Sequence, residues 1–192
     1  MPLPGMRWRH IIINTHSTWL HGDRRGFRSR DHRIHSSGDY KNPPVQGEHA
    51  GLHKYRLKQS ASPTTFEREA YAKVGEAIVQ NIVKSQFRLA AVAVNATHVH
   101  ALVELPDEPD QIKEIVGWFK WFATRALRRT FPEYGGVEVW AEGETYKAVD
   151  NPQHMQSTER YILGKQGTDA WTCSARTVSN GDRMEPGRHD PA

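Results

Sequence analysis

The chain has 192 residues, a length that allows one domain with a real core plus surface decoration. Hydrophobic residues make up only 37%, so the polar excess is expected in long surface segments rather than in a second domain. One cysteine, Cys173, excludes a disulfide framework and a cysteine-rich zinc site. The sequence shows no apolar run of membrane-spanning length and no signal-peptide segment, so we expect a cytoplasmic protein that does not enter a membrane.

Basic residues exceed acidic ones by 26 to 22, and the excess is concentrated near the N-terminus. Residues 21–58 contain nine Lys or Arg against four Asp or Glu. A local positive field of this kind attracts a polyanion, most often nucleic acid. A solvated loop without any partner is the alternative, and charge alone does not separate the two.

The first half of the chain predicts one strand and one helix around a long insertion. Residues 9–15 form a short β-branched run typical of a strand. From 16 to 63 Gly, Pro, Ser, His and Arg dominate without periodicity, which indicates a basic insertion loop. A helix is then expected to about residue 85, with Thr64 or Thr65 as N-cap and an apolar stripe at helical spacing formed by Tyr71, Val74, Ile78 and Ile82.

The second half alternates strands and helices. Residues 87–94 and 98–105 predict an antiparallel hairpin. An amphipathic helix follows at about 110–131, and a terminal hairpin is expected from residues 137–149, turning at 142–144. Asn151 is a good N-cap and Pro152 suits the first helical position, so a third helix is predicted from there to about residue 167.

This order predicts the α+β class. It is a βαββαβ-like pattern, an antiparallel sheet with helices packed on one face. We expect a single domain over residues 8–172, including the 16–63 insertion, and a disordered tail over residues 173–192.

Two histidines flank Val99 inside the third predicted strand. Side chains two apart on a strand project to one face, so His98 and His100 lie together while Val99 points away. Imidazoles about 6 to 7 Å apart along a strand can converge on one divalent ion. Two solvent-facing histidines on an open sheet are the alternative. Leu102 stands where a histidine-triad nucleotide hydrolase needs a third histidine, which counts against that class.

Tyr161 lies in the middle of the third predicted helix, on a polar stripe. Position alone favours an ordinary surface tyrosine, because the apolar neighbours lie on other faces of the helix. A phenolate can, however, attack a DNA phosphodiester and form a phosphotyrosine link that conserves the bond energy for rejoining. A metal that polarises the phosphate would compensate for the weak nucleophilicity of a phenol near neutral pH.

Two segments carry a resemblance to a known family: HVHALVEL (residues 98–105) and NPQHMQSTERYILGKQG (residues 151–167). With the order of strands and helices between them, the chain resembles the single-tyrosine HUH transposases of bacterial insertion sequences and their REP-associated tyrosine transposase relatives. The resemblance covers residues 8–172, matching loosely over 16–63. It implies a ferredoxin- or RRM-like core, bound Mg²⁺ or Mn²⁺, and nicking and rejoining of single-stranded, hairpin-containing DNA by a nucleoid-associated protein.

Position by position, the resemblance implies that His98 and His100 are metal ligands. It also implies that Tyr161 is the catalytic nucleophile, which forms a 5′-phosphotyrosine intermediate. Family members act as dimers in some branches, sometimes donating the tyrosine to the partner, and as monomers in others, so a homodimer is left open.

The third metal ligand departs from the family pattern. The family usually has Gln or Asn one helical turn after the tyrosine, where this chain has Lys165. Gln166 is one step further, about 100° around the helix. Gly164 and Gly167 would let the helix end distort so that Gln166 serves as the ligand. Alternatively, Lys165 contacts a DNA phosphate and metal binding is weaker.

Two regions are predicted to contact DNA. The second helix interleaves cations with Trp118 and Trp121, the combination that single-strand binders use for phosphates and unpaired bases. Trp118, Phe119 and Phe122 nevertheless have a spacing more typical of a core, so we expect DNA contacts from the basic side, at Lys120, Arg125, Arg128 and Arg129. The insertion is the better candidate for gripping a hairpin stem, through Arg24, Arg25, Arg28, Arg30 and Arg33.

Three hypotheses are compatible with these residues. The first is an active transposase or a nuclease derived from one. The second is a non-catalytic, domesticated relative that binds DNA hairpins in a salt-sensitive manner. The third is a small metal-dependent phosphoesterase, which would hydrolyse DNA without trapping it.

Overall fold

The computed structural model describes residues 2–23, 36–37, 45, 47–60 and 62–179, and it centres on a five-stranded antiparallel sheet. The strands, in the sheet order β4-β1-β3-β2-β5, are β1 (Met6–Asn14), β2 (Leu89–Val94), β3 (His98–Pro106), β4 (Thr145–Ala148) and β5 (Trp171–Ser174). The helices are α1 (Ala50–Gln59), α2 (Arg68–Lys84), α3 (Pro109–Thr130), α4 (Pro152–Gly164) and α5 (Ala175–Ser179), with a 3₁₀ turn at Pro132–Tyr134. The predicted α+β class is confirmed.

The central strand β3 divides its side chains between two layers. Val99 and Ala101 belong to the main core with α2 and α3, which share one face of the sheet as the sequence predicts. His98 and His100, one position out of phase, project from the opposite face. There α4 packs through Ile162, which is fully buried in a second apolar cluster with Leu102. The helix α4, the third that the sequence predicts, therefore lies on the face opposite to α2 and α3, and not with them on one face as the sequence predicts.

The edge strand β5 is fixed by the fit of one indole into a helix. A Cβ built on Gly75 of α2 would lie 2.1 Å from Cζ3 of Trp171, so only a residue without a side chain allows this contact. Trp171 is 9% exposed and pairs opposite Val94 of β2. The predicted tail from residue 173 therefore begins too early, because Cys173 and Ser174 complete the sheet. Residues 180–192 lie outside the described part of the chain.

The predicted terminal hairpin is wrong. Strand β4 pairs with β1, from Ile12 opposite Thr145 to Arg9 opposite Ala148, and not with residues 137–141. Within residues 137–141, Trp140 makes only an isolated bridge to Thr15. Residues 142–144 favour a local turn, but β4 gains more by pairing with the open edge of β1. There it completes a ladder of hydrogen bonds on a strand whose Ile11 and Ile13 side chains belong to the core.

The predicted insertion is only partly described. Within residues 16–63 the chain forms α1, a helix that the aperiodic sequence did not predict. The arginine-rich segment at 24–35 lies outside the described residues, so the long basic loop is not confirmed. None of the helices in the described ranges is long and apolar enough to cross a membrane.

Candidate active site on the α4 face of the sheet

The imidazoles of His98 and His100 meet on the face of the sheet that α4 covers. Their ring centroids are 4.7 Å apart, nearly perpendicular at 89°. His100 is 4% exposed and His98 is half-buried, so neither is a solvent-facing histidine on an open sheet. The two imidazoles project together, as strand alternation predicts, and their role as metal ligands stays a prediction.

Each imidazole is held through its Nδ1 atom. His98 Nδ1 lies 3.0 Å from Thr97 Oγ1. His100 Nδ1 lies 2.8 Å from Nε2 of His10, a third histidine that comes from β1. In both rings Nε2 is therefore the candidate ligand atom, although Nε2 of His98 also lies within hydrogen-bond distance of Asn95 and Gln166. Histidine ligands of metals usually have such a partner on the second nitrogen, which fixes the ring and its tautomer.

Tyr161 stands over these rings in the same chain. Its ring centroid is 5.5 Å from that of His100 and 6.1 Å from that of His10. The placement follows from the start of α4, where the Asn151 side chain accepts from the backbone N–H of His154 at 2.8 Å, as the predicted N-cap requires. With Ile162 buried against the sheet, the adjacent tyrosine lies at the rim of the contact and stays 45% exposed.

Gln166 completes the cluster by leaving the helix. The α4 helix ends at Gly164, and Gly167 adopts a φ of +107°, a backbone conformation that favours glycine. The Gln166 side chain is thereby buried, with Oε1 3.1 Å from His98 Nε2 and Nε2 donating to the Tyr161 carbonyl at 3.2 Å. Lys165 remains exposed. Of the two alternatives for the third ligand, the geometry brings Gln166 to the histidines.

Sequence reasoning missed Asn95 and His10. Asn95 closes the turn between β2 and β3: its Oδ1 accepts from the backbone N–H groups of Thr97 and His98, both at 3.0 Å. Its Nδ2 consequently faces His98 Nε2 at 3.0 Å. The Asn95 amide can donate to His98 Nε2 only when that nitrogen carries no hydrogen, whereas a hydrogen bond to the Gln166 oxygen requires one. A neutral imidazole therefore cannot make both hydrogen bonds at Nε2. Binding an ion at Nε2 therefore requires the Asn95 amide to withdraw.

The electrostatics keep two of the histidines unprotonated. Burial, followed by the charges of His98 and His10, lowers the pKa of His100 from 6.5 to about 3. Burial, followed by the charges of Lys147 and His154, lowers the pKa of His10 to about 4. Lys147 lies directly opposite His10 across the β1–β4 ladder, so its exposed side chain projects from the same face of the sheet as the His10 imidazole. The site thus combines neutral nitrogen donors with a nearby cation.

The donor set fits a divalent ion that accepts nitrogen and oxygen together. Oε1 of Gln166 lies 3.1 Å from Nε2 of His98, and the rings of His98 and His100 lie 4.7 Å apart. In the described part of the chain no group of three His, Cys, Asp or Glu side chains is arranged to hold a metal, so the set reaches three donors only through Gln166. Imidazole nitrogen favours Mn²⁺ over Mg²⁺, which prefers an all-oxygen shell.

The predicted DNA contacts fall into three groups. The first is Lys165, which follows Tyr161 by four residues at the end of α4. Those on α3, namely Lys120, Arg125, Arg128 and Arg129, belong to the opposite side of the sheet, because α3 packs into the main core. The five arginines of the insertion, Arg24, Arg25, Arg28, Arg30 and Arg33, lie outside the described residues.

Two of the three α3 aromatics whose spacing predicts a core are instead exposed. Phe119 alone of the predicted three is fully buried, while Trp118 is 54% exposed and Phe122 is 36% exposed. Trp121 is also exposed, at 55%. The buried face of α3 runs instead through Ile112, Val116, Phe119, Ala123 and Leu127.

Comparison with known proteins agrees with this arrangement of a sheet, a histidine pair and a late tyrosine. A family model described as "Transposase IS200 like" matches residues 54–165, more than half of the chain. The matched segment includes His98, His100 and Tyr161. The chain belongs to this family of IS200-like transposases, and its role is DNA processing of the transposase kind.

Two solved structures are similar at low identity. One is a REP-associated tyrosine transposase bound to a REP hairpin, 13% identical, with a TM-score of 0.43 over 91% of this chain and 68% of that one. Another is a putative transposase from Deinococcus radiodurans R1, 16% identical, with a TM-score of 0.37 over 85% of this chain and 93% of that one. No curated protein matches the chain significantly.

Proposed function

We propose that this protein nicks and rejoins single-stranded DNA, with Tyr161 as nucleophile and a divalent ion, Mn²⁺ or Mg²⁺, held by His98, His100 and Gln166. One observation carries the proposal: within a single chain, the Tyr161 ring lies 5.5 Å from the His100 ring, which lies 4.7 Å from the His98 ring that contacts Gln166. An ordinary surface tyrosine would have no reason to lie against the buried His100 imidazole, whose pKa is lowered by burial.

The reaction is a transfer of one phosphodiester bond. The Tyr161 oxygen attacks the phosphorus and the bond from phosphorus to the 3′ oxygen breaks, leaving a 5′-phosphotyrosine. The proton lost by the phenol is balanced by the one gained at the released 3′-hydroxyl. Attack of a 3′-hydroxyl on the same phosphorus reverses the step and rejoins DNA. Because the bond energy is conserved, neither direction needs a nucleotide cofactor.

The chain's own groups position the phosphate. His98 and His100 would supply imidazole nitrogens and Gln166 an amide oxygen, so an ion bound there would polarise the phosphate and stabilise the charge of the transition state. Lys147, paired opposite His10 on β4, and Lys165, four residues after Tyr161, are exposed and add positive charge that attracts the phosphates of a DNA strand. The Nδ1 partners Thr97 and His10 hold the two rings in place, so the rearrangement needed for ion binding is at the Asn95 amide.

A denaturing gel tests the proposal through the covalent adduct. Wild-type protein is incubated with a hairpin-containing single strand labelled at its 3′ end, in Mn²⁺, in Mg²⁺ and in EDTA. We expect a labelled protein band that needs a metal and is absent in Tyr161→Phe. The matched control is Tyr55→Phe, which removes a hydroxyl from a tyrosine that is likewise exposed, at 56%, but lies on α1.

Each other outcome selects a different function. Salt-sensitive binding to hairpins without an adduct in any metal identifies the non-catalytic relative. Hydrolysis that persists in Tyr161→Phe identifies a phosphoesterase. An adduct labelled only when the 5′ end of the strand carries the label would contradict the 5′-phosphotyrosine, because that label leaves with the released 3′-hydroxyl fragment.

A further inference from the structure

A groove of about 510 Å³ opens on α3, on the face of the sheet that does not carry Tyr161. It is lined by Lys120, Trp121, Thr124, Arg125, Arg128 and Trp140. The lining holds three cationic side chains and two indoles but no carboxylate. Its volume is within the range of small-molecule sites, about 300 to 1,000 Å³.

The two indoles of the lining differ in exposure and in how they are held. Trp140 is 9% exposed and donates its Nε1 hydrogen to the Lys120 carbonyl at 3.0 Å, so its ring is fixed in place. Trp121 forms the open wall at 55% exposure, with the Arg125 guanidinium carbon 5.4 Å from its ring centroid. A cation beside an exposed indole is the pairing that binds a phosphate and stacks a base in single-strand binders.

The positive charge of the groove persists although its cations are bonded. The Arg128 guanidinium donates to the carbonyls of Tyr134 and Val137, at 3.2 and 2.8 Å, and carbonyls carry no charge to cancel it. Lys120 is partly neutralised, since its ammonium lies 3.4 Å from the Glu144 carboxylate. Arg125 and Arg128 therefore supply the field that attracts a polyanion.

The chain itself connects this groove to the catalytic face. The Lys120 ammonium donates to the Gly143 carbonyl at 2.6 Å, which anchors the turn just before β4. Strand β4 is the edge of the sheet, and two residues into it Lys147 projects from the opposite face beside His10. A strand of DNA passing around this edge would meet a cation on each side of the sheet.

We propose that the α3 groove binds unpaired nucleotides of the same DNA strand that Tyr161 attacks, with the strand crossing the β4 edge between them. Trp121 stacks a base, and Arg125 and Arg128 contact its flanking phosphates. This inference rests on the proposed DNA-nicking function. Three cations without a carboxylate among the lining residues favour a polyanion as the occupant, and a protein partner is the alternative outcome of the test.

Fluorescence anisotropy with a labelled single-stranded oligonucleotide in EDTA measures binding without cleavage. Trp121→Ala is expected to bind roughly 5- to 150-fold more weakly, the range for the loss of one stacked base. Trp118→Ala is the matched control, because Trp118 is equally exposed, at 54%, on the same helix but does not line the groove. Its affinity is expected to be unchanged.

Two further comparisons separate the contribution of phosphate contacts from that of base stacking. Arg125→Ala is expected to lower the slope of log affinity against log salt by about 1, the value for one phosphate contact, whereas Lys113→Ala, outside the groove, leaves the slope unchanged. On an oligonucleotide made of abasic sites, wild type and Trp121→Ala are expected to bind alike. Circular dichroism and thermal unfolding confirm that each variant is folded.

The results that overturn the inference are specific. Equal binding by wild type and Trp121→Ala would exclude the stacked base. Equal losses in Trp121→Ala and Trp118→Ala, with wild type dimeric by light scattering and both variants monomeric, would identify a protein interface instead. The covalent-adduct gel tests the nicking function separately from these binding measurements. If no adduct forms but binding still depends on Trp121, the nicking function is excluded and the α3 groove remains a DNA-binding site.

Discussion

Replacing His10 tests whether the site is built to hold a metal ion. His10→Phe keeps an aromatic ring of similar volume but removes the nitrogen that lies 2.8 Å from His100 Nδ1. Because His100 is only 4% exposed, water has little access to replace the lost partner. Losing such a partner lowers metal affinity by about 10- to 100-fold, or about 1.4 to 2.7 kcal/mol.

The assay is titration of the apo-protein with Mn²⁺, following free Mn²⁺ by electron paramagnetic resonance. His10→Gln is expected to recover part of the affinity, since its amide can accept a hydrogen bond near the position of the imidazole Nε2. His154→Gln is the matched control, because it removes a neighbouring imidazole that is exposed on α4. Wild-type affinity in His10→Phe would refute the reasoning that this contact orients His100. An absence of Mn²⁺ binding by the wild type would refute the site itself.

Three further predictions follow from the fold and the site. Gly75→Ala is expected to destabilise the protein by about 1 to 3 kcal/mol in urea denaturation, because the added Cβ would lie 2.1 Å from the Trp171 ring; an unchanged midpoint would contradict that packing. Gln166→Ala is expected to weaken Mn²⁺ binding while Lys165→Ala does not, and the reverse order in calorimetric titrations would assign the third position to the lysine. Since the pKa of His100 falls from 6.5 in the unfolded chain to about 3 in the fold, the unfolded state binds the extra proton between these values. The contribution of this group to the unfolding free energy of the apo-protein is therefore complete above pH 6.5. Below pH 6.5 the unfolding free energy decreases by up to about 1.4 kcal/mol per pH unit for this group. A pH-independent unfolding free energy in denaturant titrations would contradict this prediction.

The local features of the site could be predicted from the sequence. Strand alternation places His98 and His100 on one face, because that periodicity is a property of the strand itself. The start of α4 is likewise local: Asn151 and Pro152 fix where the helix begins, and the helix then carries Tyr161 to its position over the rings. The glycines around Gln166 indicated a distorted helix end, and the chain does leave the helix there.

The features that were missed depend on pairing between distant segments. His10 faces His100 only because β1 and β3 pair with Ile12 opposite His100, a register that no local pattern specifies. Residues 137–141 resemble a strand by composition, yet β1 already has β4 at its edge. Strand β5 is four residues long and is defined by the contact between Trp171 and Gly75, 96 positions earlier in the chain.

The central claim is that one phenol becomes bonded to DNA, and peptide mapping locates it. Arg160 and Lys165 bracket the tyrosine, so trypsin releases residues 161–165 (YILGK) from the adduct. After nuclease trimming, mass spectrometry is expected to find this peptide, or the longer product uncut at Arg160, carrying a nucleotide through its 5′ phosphate. A nucleotide on any other tyrosine peptide, with unmodified YILGK, would contradict the account.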